Sequence, residues 1–207
     1  MLDVACGTGL EDKFLKLSFH VTGMDLNSGV LRIARRRNPE LTYLSGDMRT
    51  FTFENRYDVI TCFDAMCYLR DHTELRKTFR NFHRHLLNGG VLVFYLDPVF
   101  LKEHHKQDTI VITKKHNQEK HITLIELYRR KGRSVEGNAV YMIQESSRVR
   151  FEIDNFETFG FFDVARIKRM LRDTGFRAHL YSGGRNITFS LRKYNQHSPY
   201  PIFVCEK

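Results

Sequence analysis

The stretch Leu2-Asp3-Val4-Ala5-Cys6-Gly7-Thr8-Gly9 constrains this chain more than any other. Its apolar start reads as a strand stub. The two glycines that follow allow a tight bend into a helix and a close approach of backbone to a ligand. The residues after it keep the rhythm such a turn belongs to. Short apolar strands alternate with helical patterns as far as Leu96, the arrangement of a parallel sheet with helices on its faces.

Residues 20–24 read as a second strand that runs into Asp25. Asn27 or Ser28 can cap a helix carrying Val30, Leu31, Ile33 and Ala34, which stops near Asn38-Pro39. Residues 41–44 and 58–62 read as the third and fourth strands. Leu75, Phe79, Phe82 and Leu86 recur at helical spacing, and Asn88-Gly89-Gly90 is expected to end that helix with positive φ. Residues 91–96 form a fifth strand, apolar throughout as befits burial on both faces.

After Pro98 the pattern changes to β-rich segments at 109–113, 121–128, 139–145 and 148–153, with polar turns and no helices between them. This reads as an antiparallel insertion. Residues 163–174 return to helix, with Val164, Ile167 and Leu171 inward, and 176–181 and 202–205 are the closing strands. The expected division is a cofactor-binding part over 1–98, the insertion over 99–158, and the closing helix and strands over 159–207.

Composition excludes some alternatives. At 207 residues, 42 % hydrophobic and 28 % charged, the chain can bury a core as one domain with a small insertion. No apolar run approaches the roughly 18 residues a spanning helix needs, and the start does not read as a secretory leader. Cys6, Cys62, Cys67 and Cys205 are scattered, without a CxxC pair, which fits reduced thiols in the cytoplasm. Ten histidines show no HxxxH pair on a helix, so no metal site is expected. The formal charge of +9 could draw the chain to nucleic acid, acidic lipid or a phosphorylated substrate. Arg35-Arg36-Arg37 suit a helix C-terminus, and the clusters at 114–116 and 129–133 have almost no aromatic neighbours on which bases could stack.

Gly7 and Gly9 also open a dinucleotide fingerprint, but its third position is Asp12. A carboxylate there spoils close helix packing and repels pyrophosphate, which argues against a nicotinamide or flavin enzyme. Asp25 stands 16 residues after Gly9, at the end of the second strand, where two acceptor oxygens suit the two hydroxyls of a ribose. Gly46-Asp47-Met48 follows the third strand, and Phe63-Asp64-Ala65-Met66-Cys67-Tyr68-Leu69 follows the fourth.

Together these segments resemble class I S-adenosylmethionine-dependent methyltransferases. The first motif stands as an acidic residue, small residues and G-x-G, with Ala5 where the first glycine is more usual. Leu86-Leu87-Asn88-Gly89-Gly90 is similar to the family's L-x-P-G-G signature, with Asn88 for proline. The resemblance covers about residues 2–97. It implies an α/β fold, a Rossmann-like seven-stranded methyltransferase sheet, N-terminally truncated, with an antiparallel β insertion after the fifth strand.

It also implies S-adenosylmethionine as cofactor, held by Asp3, Ala5, Cys6, Gly7, Thr8 and Gly9 of the turn. Asp25 and Leu26 would serve the ribose, and Asp47 and Met48 the adenine, with Phe63 beside them. Asp64 and Tyr68 are the catalytic candidates, and Tyr68, His104 and His105 the candidates to touch substrate. Cys67 stands where Asn is common in similar small-molecule enzymes, which leaves the acceptor open.

The wording of the first strand and the insertion look most like small-molecule N-methyltransferases, of the sugar N,N-dimethyltransferase and glycine N-methyltransferase types, in which the insertion covers the acceptor. The expected function is methyl transfer to a small-molecule acceptor, an amine. The competing readings are a non-catalytic or partner-dependent methyltransferase-like module and an RNA methyltransferase. The last lacks an N/D-P-P-Y/F tetrapeptide after the fourth strand. A homodimer, or a partner supplying an N-terminal cap, is the protein partner expected. Nucleic acid is disfavoured, and no membrane partner is expected.

Overall fold

In the computed structural model, residues 1–101, 108–116, 120–132, 134–183 and 200–207 are described. The first half supplies β1 (Leu2–Val4), α1 (Asp12–Leu15), β2 (Thr22–Asp25), α2 (Ser28–Arg37), β3 (Thr42–Ser45), β4 (Tyr57–Cys62), α3 (His72–His85) and β5 (Leu86–Tyr95). Four strands follow: β6 (Thr109–His116), β7 (Lys120–Lys131), β8 (Ser134–Glu145) and β9 (Arg148–Gly160). Then come α4 (Val164–Asp173), β10 (Arg177–Gly183) and β11 (Tyr200–Glu206).

The main sheet has seven strands in the order β10-β11-β5-β4-β1-β2-β3. Its pairs are parallel except that β11 runs antiparallel to both neighbours. The chain leaves β1 toward β2 and β3 on one side, then crosses to β4 and β5 on the other. This reversal opens a crevice at the carboxyl ends of β1 and β4, where open α/β sheets bind ligands. The antiparallel β6-β7-β8-β9 forms the second sheet.

The helices follow from local chemistry. Asn27 caps α2 by accepting from the Gly29 N–H at 2.8 Å. Asp71 caps α3 by accepting from Thr73 and Glu74 at 2.7 and 2.9 Å, satisfying N–H groups that a helix start leaves without partners. Leu75, Phe79 and Phe82 of α3 are fully buried. Phe79 meets Phe94 of β5 at 5.5 Å between centroids, and Phe94 stacks on Phe203 of β11 at 4.6 Å. Val164, Ile167 and Leu171 of α4 close the same layer. Among the described residues no helix is long and apolar enough to cross a membrane.

The structure moves some expected boundaries. α3 ends at His85 rather than at the glycine pair, and β5 begins at once. Gly89 does adopt positive φ, 78°, but within the strand. The cause is tertiary: Leu86 pairs with Tyr57, and Gly89 and Gly90 exchange backbone bonds with Lys207. β8 and β9 extend further than their apolar runs suggest, because Val135 and Phe159 are buried beside the first half. Phe14 and Leu17 sit 62 and 78 % exposed around α1.

Candidate active site

A cavity of about 750 Å³ lies in that crevice. The turn after β1 contributes Ala5 and Gly7, β2 and its exit contribute Asp25, Leu26 and Asn27, and the loop after β3 contributes Asp47, Met48 and Arg49. Phe63, Asp64, Tyr68 and Arg70 come from beyond β4. Four segments distant in sequence thus meet at one opening.

Gly7 has φ 55° and no atom within 4 Å of where a Cβ would stand, so its backbone is bare toward open space. Its N–H donates to Asp25 Oδ2 at 2.9 Å, and the Asn27 N–H donates to Oδ1 at 2.8 Å. These bonds fix the carboxylate at the end of β2 and leave lone pairs on each oxygen for a ligand's hydroxyls. Ala5 has φ 57°, in the left-handed region that explains why glycine is more usual there.

The rest of the turn behaves differently from the sequence expectation. Asp3, Cys6, Thr8 and Gly9 do not line the cavity; they brace the turn from beneath. Asp3 is buried and accepts from Thr61 Oγ1 at 2.6 Å. Cys6 packs with Leu31, Ala34 and Tyr43. Arg37 donates to both the carbonyl and the hydroxyl of Thr8 at 2.6 Å, and Asn38 donates to the Gly9 carbonyl at 2.8 Å. A strand-to-helix turn must be held on its inner side before its outer side can present backbone closely to a ligand.

Asp12 belongs to the same bracing. It is fully buried and accepts from the Tyr43 hydroxyl at 2.9 Å. Burial pushes both Asp3 and Asp12 up, and the two carboxyls also interact with each other, so a proton held between them is favoured.

Asp47 is fixed by a neighbour the sequence did not single out. Arg49 grips it through Nε at 2.9 Å and Nη2 at 2.6 Å, and reaches Glu74 of α3 through Nη1 at 2.7 Å. Arg49 holds the Asp47 carboxyl below its ordinary range, so the residue presents a charged acceptor at the cavity wall. An arginine two residues from an aspartate in a loop gives no periodic signal, which is why sequence reading passes over it.

Asp64 has φ 50°, a strained conformation for a residue with a side chain, at the carboxyl end of β4. Its carboxyl is wet through the open crevice and surrounded by protein elsewhere. That enclosure, and then the charges of Asp97, Glu126 and Glu11, push it up to about 7. Glu126 comes from β7 and accepts from the Tyr128 hydroxyl at 3.0 Å.

Aromatic rings join the two sheets at this place. Tyr68 lies 5.3 Å from Phe159, and Phe100 lies 4.9 Å from Phe159 and 5.6 Å from Tyr128. Phe63 stacks on Tyr95 at 5.8 Å. Cys67 is buried, with Sγ 3.8 Å from the Asp64 carbonyl. The structure thus brings together Ala5, Gly7, Asp25, Leu26, Asp47 and Met48 with Phe63, Asp64 and Tyr68. His104 and His105 lie outside the described residues. Glu126, Tyr128 and Arg49 are additions that only the folded chain reveals.

Comparison with known proteins fits this geometry. Residues 1–90 match the methyltransferase domain family. The chain is 32 % identical over 189 residues to a dTDP-4-amino-2,3,4,6-tetradeoxy-D-glucose N,N-dimethyltransferase of Saccharopolyspora spinosa, covering 90 % of this chain and 74 % of that one. It is 42 % identical to a Streptomyces fradiae dTDP-3-amino-3,6-dideoxy-alpha-D-glucopyranose N,N-dimethyltransferase over 95 residues, 45 % of this chain and 37 % of that one. The S-adenosylmethionine-bound amino pentose methyltransferase of calicheamicin biosynthesis from Micromonospora echinaspora superposes with a TM-score of 0.82 at 25 % identity, over 99 % of this chain and 81 % of that one. The chain belongs to the class I S-adenosylmethionine-dependent methyltransferases, among the small-molecule N-methyltransferases. S-adenosylmethionine is its cofactor, and the cavity's ingredients suit it: bare backbone at Gly7, fixed carboxylates at Asp25 and Asp47, and apolar walls at Leu26 and Met48.

Proposed function

We propose that this enzyme methylates the amino group of a sugar, carried on a nucleoside diphosphate as in its relatives' named substrates. The observation that carries the reading is the shared cavity: Asp64 and Tyr68 open onto the same space as Asp25 and Asp47. When bound, S-adenosylmethionine supplies a methyl group on a sulfonium, open to in-line attack by a nucleophile.

In this reading Asp25 accepts from the ribose hydroxyls and Asp47 from the adenine amino group, while Leu26, Met48 and Phe63 wall the purine side. Ala5 and Gly7 present backbone to the rest of the cofactor. Asp64 holds the acceptor ammonium and takes its proton, freeing the nitrogen lone pair; a carboxyl near neutrality can both receive and release a proton. Tyr68 orients the acceptor from the rim. Residues 99–158 act as a cover whose aromatic side excludes water, with the division of the chain at 98 and 158 following from that role. The reduced thiols and the reaction's requirements suit the cytoplasm.

The test is incubation of the chain with methyl-labelled S-adenosylmethionine and a panel of nucleotide-linked amino sugars, free amino sugars, glycine and RNA. Mono- and dimethylated amino sugar is the expected product. Cofactor binding without transfer to any amine would favour the non-catalytic module, and label on RNA would overturn the small-molecule acceptor.

A further inference from the structure

Five arginines converge on a second cavity. Arg70, Arg76, Arg130, Arg166 and Arg169 line a space of about 730 Å³, within the size range of ligand pockets. They come from four places in the chain: the segment before α3, α3 itself, the end of β7, and α4. Arg70 lines the catalytic cavity as well, so the two spaces adjoin at that residue.

The elements set these positions. Arg166 and Arg169 stand three apart on α4, beside the buried stripe of Ile167, Met170 and Leu171. Arg130 pairs across the hairpin with buried Val135, so it stands on the inner face of the antiparallel sheet, where a cation is unusual. Its guanidinium lies over the Phe161 ring at 4.7 Å, with Nε turned to the Gly132 carbonyl at 3.3 Å. Stacking fixes the plane of the group and leaves its Nη donors for a ligand.

The carboxylates nearby do not neutralise this cluster. Asp71 and Asp163 turn Oδ1 to backbone N–H groups at the starts of α3 and α4, and Asp173 lies 3.9 Å from Arg172. Among the described residues none of the five guanidinium groups forms an ion pair. Five arginines against three aspartates leave the lining at +2. Four of the arginines are exposed and Arg76 is half-buried, so an anion can reach them. Planar guanidinium forks match phosphate oxygens in pairs, and several around one space suit a group with more than one negative charge.

We propose that this cavity is a binding site for a diphosphate group. The neighbouring cavity supports that choice. Asp25, Asp47 and Asp64 line it, and its Arg49 is already gripped by Asp47 and Glu74, so the two spaces differ in sign. A substrate with an ammonium at one end and a diphosphate at the other would lie across them in one direction, ammonium toward Asp64 and phosphates past Arg70. That orientation rests on the function proposed above; the affinity of the site for diphosphate does not.

Calorimetric titration of the full chain with inorganic pyrophosphate and with thymidine diphosphate tests the site. Wild type should bind both, and Arg166→Gln/Arg169→Gln should bind each about 30-fold or more weakly. The control Lys168→Gln/Arg172→Gln removes the same charge from the same helix outside the cavity, and should stay within about threefold of wild type. Affinity for S-adenosylhomocysteine should be unchanged in both. If the first variant does not fold, as read by circular dichroism, Arg130→Gln carries the test. A KM for a nucleotide-linked amino sugar that rises in step with the pyrophosphate Kd identifies the diphosphate as the substrate's own. A KM that stays while that Kd rises identifies a separate nucleotide. Failure of wild type to bind pyrophosphate, binding that survives the arginine substitutions, or equal loss in the control, the mark of diffuse surface charge, each overturns the proposal. The titration reads no methyl transfer, so it stands or falls whether or not an amino sugar is the acceptor.

Discussion

Asp25 offers the sharpest test, because its structural and its ligand-binding work can be separated. Its two oxygens already accept backbone N–H groups of Gly7 and Asn27 at 2.9 and 2.8 Å. Asn27 is exposed and Gly7 half-buried, so water can replace these bonds in the unliganded protein. Asp25→Ala should therefore cost stability by only about 1 kcal/mol, or about 2–4 °C in Tm for a chain of this size. Binding loses more. Two charge-assisted bonds to ribose hydroxyls, at about 1.5–3 kcal/mol each, correspond to a ~10²- to 10⁴-fold weaker Kd. Asp25→Asn retains one acceptor oxygen and should fall between. The assay is calorimetric titration with S-adenosylhomocysteine beside a thermal melt. A Kd within threefold of wild type in Asp25→Ala would refute the assignment of the ribose to this carboxylate. A binding loss matched by an equal loss of fold stability would reduce Asp25 to a brace for the turn.

Three further substitutions probe separate parts of the site. Asp64 must be ionised to accept a proton, so kcat/KM should fall as pH drops through about 7; in Asp64→Asn the pH-dependent limb should vanish along with about 10²-fold of the rate, and a retained limb would exclude Asp64 as the base. Ala5→Gly removes a side chain from φ 57°, a conformation that costs roughly 1–2 kcal/mol, against somewhat less lost to the freer unfolded chain; a Tm rise of about 2 °C is expected, and a fall would show that the Ala5 methyl packs usefully. Asp3 and Asp12 are both pushed up by burial, so the stability they allow is fullest below the unfolded value near 4 and drains away as pH rises toward their folded values. Asp12→Asn can keep the bond from Tyr43 and donate to Asp3 without a titrating proton, so melts should show a stability gain over wild type that grows with pH. A gain confined to acid pH would contradict the shared proton.

Legibility divides along a physical line. The succession of strands and helices and the strand-end positions of Asp25, Asp47 and Asp64 follow from hydrophobic periods and turn residues that are local, so they can be read along the chain. Arg49 with Glu74, and Glu126 with Tyr128, meet only after loops and a second sheet are docked, and nothing in their spacing announces it. The same reason hides the bracing that Asp3, Cys6, Thr8 and Gly9 receive. A motif fixes which residues form the turn, but which of them face the ligand depends on Thr61, Tyr43, Arg37 and Asn38 arriving from other elements to hold the inner side. Ala5 and Asp64 show the complementary case. Both adopt positive φ without being glycine, so local propensity opposes the conformation and the surrounding sheet imposes it. Where local preference and tertiary demand disagree at the mouth of a cavity, the strain is held for the sake of the site. At Asp64 the strain accompanies a carboxyl that opens onto the cavity, where the proposed reaction puts the acceptor nitrogen. Ala5, by contrast, has a substitute that removes the strain outright. The pair therefore predicts opposite outcomes: relief at Ala5 should leave turnover intact, while Asp64→Gly, which relieves the same strain, should lower it by about 10²-fold, as Asp64→Asn does.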